Sequence, residues 1–138
     1  MNLDHDRIGS KLQDIQKALE RLHRLRAAGR AAFMSDEDSQ DIARSRLLSA
    51  MEAALNICFH VTAKKLKSVP EDYGACFRRL GDARLLDPSL AERLADMARF
   101  RNRLVHLYWD IDYNAVYDIL DNHLVDLEDF SAQIAGLL

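Results

Sequence analysis

The sequence predicts an all-α protein, an antiparallel bundle of four main helices plus one short helix. Three observations carry that expectation. Apolar residues recur at steps of three and four along most of the chain, the spacing of one helical face. Glycine and proline are scarce, five and two in 138 residues, which leaves few breaks between long segments. No stretch keeps the strict apolar–polar alternation of a half-buried strand.

The first helix is expected over residues 4–32. Ile8, Leu12, Ile15, Leu19 and Leu22 form its stripe, with Lys11, Lys17, Glu20, Arg21 and Arg24 on other faces. Two heptads are too few for an independent coiled coil, so the stripe belongs to a domain core. Gly29 should weaken the last turn. Ser35 and Asp38 read as a capping pair within SDEDSQD, opening a second long helix that runs to about residue 66. Its expected core positions are Ile42, Leu47, Leu48, Met51, Leu55, Cys58 and Val61. Val69-Pro70 ends it, because proline disfavours helical geometry in the residue before. A short helix follows over 73–80, with Gly81 as its stop. Asp87-Pro88 is a cap with proline at the first helical position, and Leu90, Leu94, Met97 and Phe100 carry that helix onward. Asp110 or Asp112 caps the last helix, from 113 to about 135, which buries Val116, Ile119, Leu120, Leu124, Leu127 and Ile134. Trp109 and Tyr113 are expected to anchor the junction before it.

A chain of this length is expected to form a single domain over 1–138, long enough to bury roughly two-thirds of its unfolded surface. Apolar residues make up 49% and charged residues 30%, the balance of an ordinary folded, soluble protein. The net charge is −3, which excludes the overall basic footprint of many nucleic-acid binders; any anion site must be local. Cys58 and Cys76 are 18 residues apart without a CxxC pair, and read as small buried hydrophobes. His5, His23, His60 and His123 form no metal-binding spacing, so no metal and no cofactor are expected. Lys64, Lys65 and Lys67 complement a helix C-terminus, with a nucleic-acid contact as the alternative. No charged-then-apolar leader and no run of ~20 apolar residues is visible, which points to a cytoplasmic protein without a membrane span.

One stretch departs from this ordinary pattern. RFRNRLVHLYWDID, residues 99–112, crowds Arg99, Arg101, Asn102, Arg103, His106 and Tyr108 among apolar residues. Arginine offers a fixed fork of donors to phosphate oxygens, and histidine moves protons near neutral pH. Those are the groups phosphodiester cleavage needs, and no metal is required if the nucleophile is the RNA's own 2′-hydroxyl. On a helix, Asn102 and His106 share a face, and Arg103 adjoins His106. Arg101 and Tyr108 lie nearly in line two turns apart. Arg101 and His106, however, diverge by about 140°. They converge on one ligand only if it straddles the helix or a second chain contributes. The plain alternative is a solvated face, with Arg99, Arg101 and Arg103 salt-bridged to Asp96 or Asp110.

Arg101, His106 and Tyr108 together match R-x4-H-x-Y. With Asn102, PEDYG at 70–74, the run LAERLADMARFRNRLVHLYWDID from Leu90, AVYDIL at 115–120 and RSRLLSAMEAALNI from Arg44, the chain resembles HepT-type toxins of the HEPN superfamily over roughly 35–135. The resemblance implies a HEPN-like bundle that forms a homodimer, with the motifs of two subunits facing across a cleft. It implies a metal-independent endoribonuclease, the toxin of a toxin–antitoxin module, acting on an RNA substrate. Arg101 would steady the scissile phosphate, His106 would transfer protons and Asn102 would support them, with Arg99 and Arg103 as candidate RNA contacts. Tyr108 would be the tyrosine that an MNT-type nucleotidyltransferase antitoxin modifies with AMP. Two alternatives remain open on the sequence: a non-catalytic substrate-binding partner of a small nucleotidyltransferase, and a purely structural helical dimer.

Overall fold

The computed structural model describes residues 2–106 and 110–138. Among these the chain forms seven helical segments: α1 (His5–Ala27), α2 (Arg30–Met34), α3 (Glu37–Leu66), α4 (Tyr73–Asp82), α5 (Pro88–His106), α6 (Tyr113–Asn122) and α7 (Leu124–Ala135). The all-α expectation holds, with no strand among the described residues.

Aspartate starts most of these helices. The side chains of Asp4, Asp36, Asp72, Asp87 and Asp112 accept hydrogen bonds from the first free backbone N–H groups of α1, α3, α4, α5 and α6. Each such cap stabilises by about 1 kcal/mol. Asp36 therefore holds the role assigned to Ser35, whose hydroxyl instead donates to the Ala32 carbonyl. Of the two candidates for α6, Asp112 is the cap, accepting from Asn114 N at 3.0 Å and Ala115 N at 3.4 Å.

Three expected features are corrected. Gly29 does more than weaken a turn: at φ 94°, a region L side chains rarely adopt, it ends α1 and redirects the chain into α2. Gly81 is no stop. It lies buried inside α4, where an added Cβ would sit 2.7 Å from the Ala91 Cβ. Its lack of a side chain lets α4 and α5 approach closely, and the turn is made three residues on, with Arg84 at φ 61°. The final helix is two helices, broken at His123, whose ring bonds to Asp126 Oδ2 at 3.0 Å. The burial pattern continues across this break in register, so the apolar stripe alone could not reveal it.

α1 and α3 pack antiparallel, as shown by Asp4 N donating to His60 Nε2 at one end and Arg7 Nε to Asn56 Oδ1 beside it. α4 and α5 form a second antiparallel pair. α6 and α7 close the bundle through Phe33–Tyr117 and Phe77–Phe130 ring contacts. One apolar core runs through all of it. α3 is its central element and is buried on several faces: Ala43, Ala50, Ala53, Ala54 and Ile57 join Leu47, Met51, Leu55, Cys58 and Val61 inside. Ile42 and Leu48 are only half-buried. Both cysteines are fully buried and free, and burial pushes the Cys58 thiol up.

Candidate active site

α5 carries the candidate residues at its C-terminal end, and two other elements, α3 and α4, shape what they do. Arg101 points into the bundle with its side chain only 14% exposed. Its Nε donates to Glu52 Oε1 on α3 at 2.5 Å, and its Nη2 reaches the same oxygen. Its Nη1 donates to Asn102 Oδ1 at 3.1 Å. The guanidinium lies over the Tyr73 ring, 4.9 Å from the centroid. Tyr73 opens α4 and meets Phe59 of α3 edge to face at 5.8 Å. Tyr73 reaches Arg101 because α4 and α5 cross closely at Gly81 and Ala91, and again where Gly74 faces Ala95.

His106, the last residue of α5, is exposed and makes no hydrogen bond or ion pair among the described residues. The helix end beneath it is held by Arg44 of α3, whose Nη2 donates to the Leu104 carbonyl at 2.8 Å. That bond satisfies one of the carbonyls a helix C-terminus leaves open. Asn102 is exposed one turn before His106. Its carbonyl oxygen is committed to Arg101 and its amide nitrogen remains for another acceptor. Beside it an open groove of about 680 Å³ is lined by Glu71, Asp72, Tyr73, Arg78 and Arg99.

The expected residues are thus only partly brought together. Arg101 and Asn102 touch, while His106 faces away from Arg101 as the helical spacing required. Arg99 is exposed and paired with Asp96 at 2.5 Å, the solvated arrangement, and Arg103 is exposed over the Phe100 ring at 5.6 Å. Tyr108 and Trp109 lie outside the described residues; Tyr113 does pack on Phe33, at 6.2 Å between ring centroids. The other histidines are structural or at the surface: His60 is buried against the N-terminus, and His23 meets Glu128 at 2.6 Å. Among the described residues no group of three His, Cys, Asp or Glu side chains is placed to hold a metal ion, and no helix is long and apolar enough to cross a membrane.

The family model described as ribonuclease HepT-like matches residues 15–134. The chain belongs to this family. It is 26% identical over 126 residues to the mRNA nuclease HepT of Shewanella oneidensis, an alignment covering 91% of this chain and 94% of that protein. It is 30% identical over 116 residues to the tRNA nuclease HepT of Aphanizomenon flos-aquae, covering 84% and 79% respectively. Among solved structures, a tri-AMPylated Shewanella oneidensis HEPN toxin in complex with an MNT antitoxin superposes with a TM-score of 0.88 at 26% identity, covering 99% of each chain. A toxin–antitoxin complex with AMP-PNP gives a TM-score of 0.85 at 26% identity, covering 97% of this chain and 99% of that one.

In this HepT-like chain, sequence reasoning placed the motif but missed three residues that hold it. Glu52, Tyr73 and Arg44 stand 49, 28 and 60 positions from their partners Arg101, Arg101 and Leu104. Spacing rules on one helix have no reach over such separations.

Proposed function

We propose that this chain is the toxin of a toxin–antitoxin pair, a metal-independent endoribonuclease acting in the cytoplasm as a two-fold homodimer. One observation carries the reading. Arg101 is locked against α3 and α4, while His106 is exposed on a different face of the same helix. A phosphate gripped by one cannot readily be served by the other in a single chain. A second copy, with its Arg101–His106 segment across a two-fold axis, supplies the missing counterpart, and closed two-fold pairs are the commonest oligomers.

In such a cleft the arginines hold the scissile phosphate and Asn102 supports the nearer one. One His106 takes the proton of the RNA 2′-hydroxyl as its oxygen attacks phosphorus. The partner's His106 returns a proton to the departing 5′-oxygen. The products are a 2′,3′-cyclic phosphate and a free 5′-hydroxyl, and the step consumes no water. Arg99 and Arg103 flank this face as contacts for neighbouring phosphates.

Control is assigned to an MNT-type nucleotidyltransferase antitoxin. The Tyr108 oxygen attacks the α-phosphorus of ATP and pyrophosphate leaves, adding bulk and negative charge two positions beyond His106 in the chain. The AMP-carrying toxin among the solved relatives supports this reading. Coexpression with the cognate transferase should add AMP to Tyr108 and silence cleavage, and Tyr108→Phe should resist silencing; AMP found only elsewhere counts against it.

The deciding experiment is cleavage of RNA by purified protein in chelator, beside His106→Ala. The expected result is cyclic-phosphate ends from the parent and a loss of roughly 10²–10⁴-fold in the variant. Equal rates in both would remove His106 from the mechanism. Tight RNA binding without cleavage would favour the non-catalytic partner of a nucleotidyltransferase.

A further inference from the structure

We propose that Glu52 and Tyr73 are positioning residues for Arg101, fixing its guanidinium so that RNA phosphate meets only the terminal N–H groups that Glu52 and Asn102 leave uncommitted. The proposal rests on the nuclease reading for its catalytic consequence, though not for the geometry itself.

The donor count sets the argument. A guanidinium has five N–H groups. Nε donates to Glu52 Oε1, with Nη2 in ion-pair contact with the same oxygen, and one N–H on Nη1 goes to Asn102 Oδ1. Terminal N–H groups on Nη1 and Nη2 remain uncommitted. The plane of the group is set by Tyr73 beneath it, and Tyr73 is set in turn by Phe59. A free arginine must surrender its rotamer freedom when it grips an anion. This one, with 14% of its side chain exposed, has surrendered it on folding. Donors held in place before the reaction need no reorganisation as charge develops on the phosphate.

Glu52 invites the opposite reading, a competitor that occupies Arg101 until RNA displaces it. A carboxylate beside an anion site does weaken anion binding in the ground state. The two readings differ in sign. A competitor must release the arginine, so its removal speeds cleavage. A positioning residue stays in place, and the spare terminal donors make release unnecessary.

The test compares the full-length parent with Glu52→Ala, Glu52→Gln, Tyr73→Leu and Tyr73→Phe on a short single-stranded RNA, with thermal melts to confirm folding. Glu52→Ala should lower kcat roughly ten- to a hundredfold, with KM unchanged or lower because a repelling charge is gone. Glu52→Gln keeps an acceptor oxygen and should recover part of the loss. Tyr73→Phe keeps the ring and should stay near the parent, while Tyr73→Leu should fall. A rise in kcat/KM for Glu52→Ala, or no change in a folded variant, overturns the proposal. The Arg101 Nε–H resonance, followed by NMR hydrogen exchange, tests the clamp without any catalysis. Slow exchange in the parent that becomes fast in Glu52→Ala supports the clamp even if the parent cuts no RNA, in which case the nuclease reading alone has failed. Exchange at the solvent rate in the parent overturns the clamp.

Discussion

Arg101 and His106 stand five residues apart on one helix and occupy opposite conditions. Arg101 is nearly enclosed, with an ion pair, a side-chain hydrogen bond and an aromatic face around it. His106 is exposed at the helix end, above a carbonyl tied down by Arg44. The difference separates two ways of preparing a group for catalysis. The arginine is oriented by its own fold. The histidine rests on a fixed backbone and, in the proposed dimer, depends on what is brought to it, a second subunit and the RNA.

The contrast is most sharply tested by exchanging each group. His106→Ala should lose roughly 10²–10⁴-fold in cleavage, with an unchanged melting temperature, because its side chain has no described partner to lose. Arg101→Ala should lose comparable activity and also melt lower, because it strips Tyr73 of its cation and leaves Glu52 without a counter-ion. Equal melts for the two variants would mean that the enclosure of Arg101 contributes nothing to folding.

Next in size is the packing that delivers Tyr73. Gly81→Ala places a methyl 2.7 Å from the Ala91 Cβ. Overpacking of this kind costs about 1–3 kcal/mol, partly offset by about 1 kcal/mol of better helix propensity. The melt should fall by a few degrees, and cleavage should fall with it as α4 is pushed away from α5. A variant that melts higher and cuts faster would show that the close crossing is not what sets Tyr73.

The smallest effect is a pH dependence far from the site. His60 Nε2 accepts from Asp4 N at 3.0 Å, so the ring is neutral there. Burial lowers its affinity for a proton below the usual 6.5, with the Arg7 charge acting in the same direction, Lys64 more weakly so, and Asp4 opposing. As pH falls through 6.5 the unfolded chain takes up a proton that the folded chain refuses, so stability declines on the acid side. Between pH 7.5 and 5.5 the parent should lose more melting temperature than His60→Gln, which does not titrate. An equal loss would assign the acid sensitivity elsewhere.

Much of this was legible in the sequence. Spacing of apolar residues located α3 and α5, and Asp87-Pro88 marked where α5 begins. The motif stretch stood out by residue type alone, and the 140° divergence of Arg101 and His106 already implied a site built from more than one helix face. What stayed hidden was of one kind. The break at His123 keeps the stripe in register and so leaves no trace in it. Gly81 looks like a stop, because close packing and helix termination both call for glycine, and only the position of Ala91 separates them. Glu52 and Tyr73 act across long separations, and no local pattern ties them to Arg101.

In the proposed dimer the exposed half of the site is completed by a second copy of the chain. The most direct measurement follows cleavage rate per chain on dilution, alongside light scattering at the same concentrations. Specific activity should fall in step with the loss of dimer. Constant specific activity at concentrations where scattering shows only monomer would contradict it.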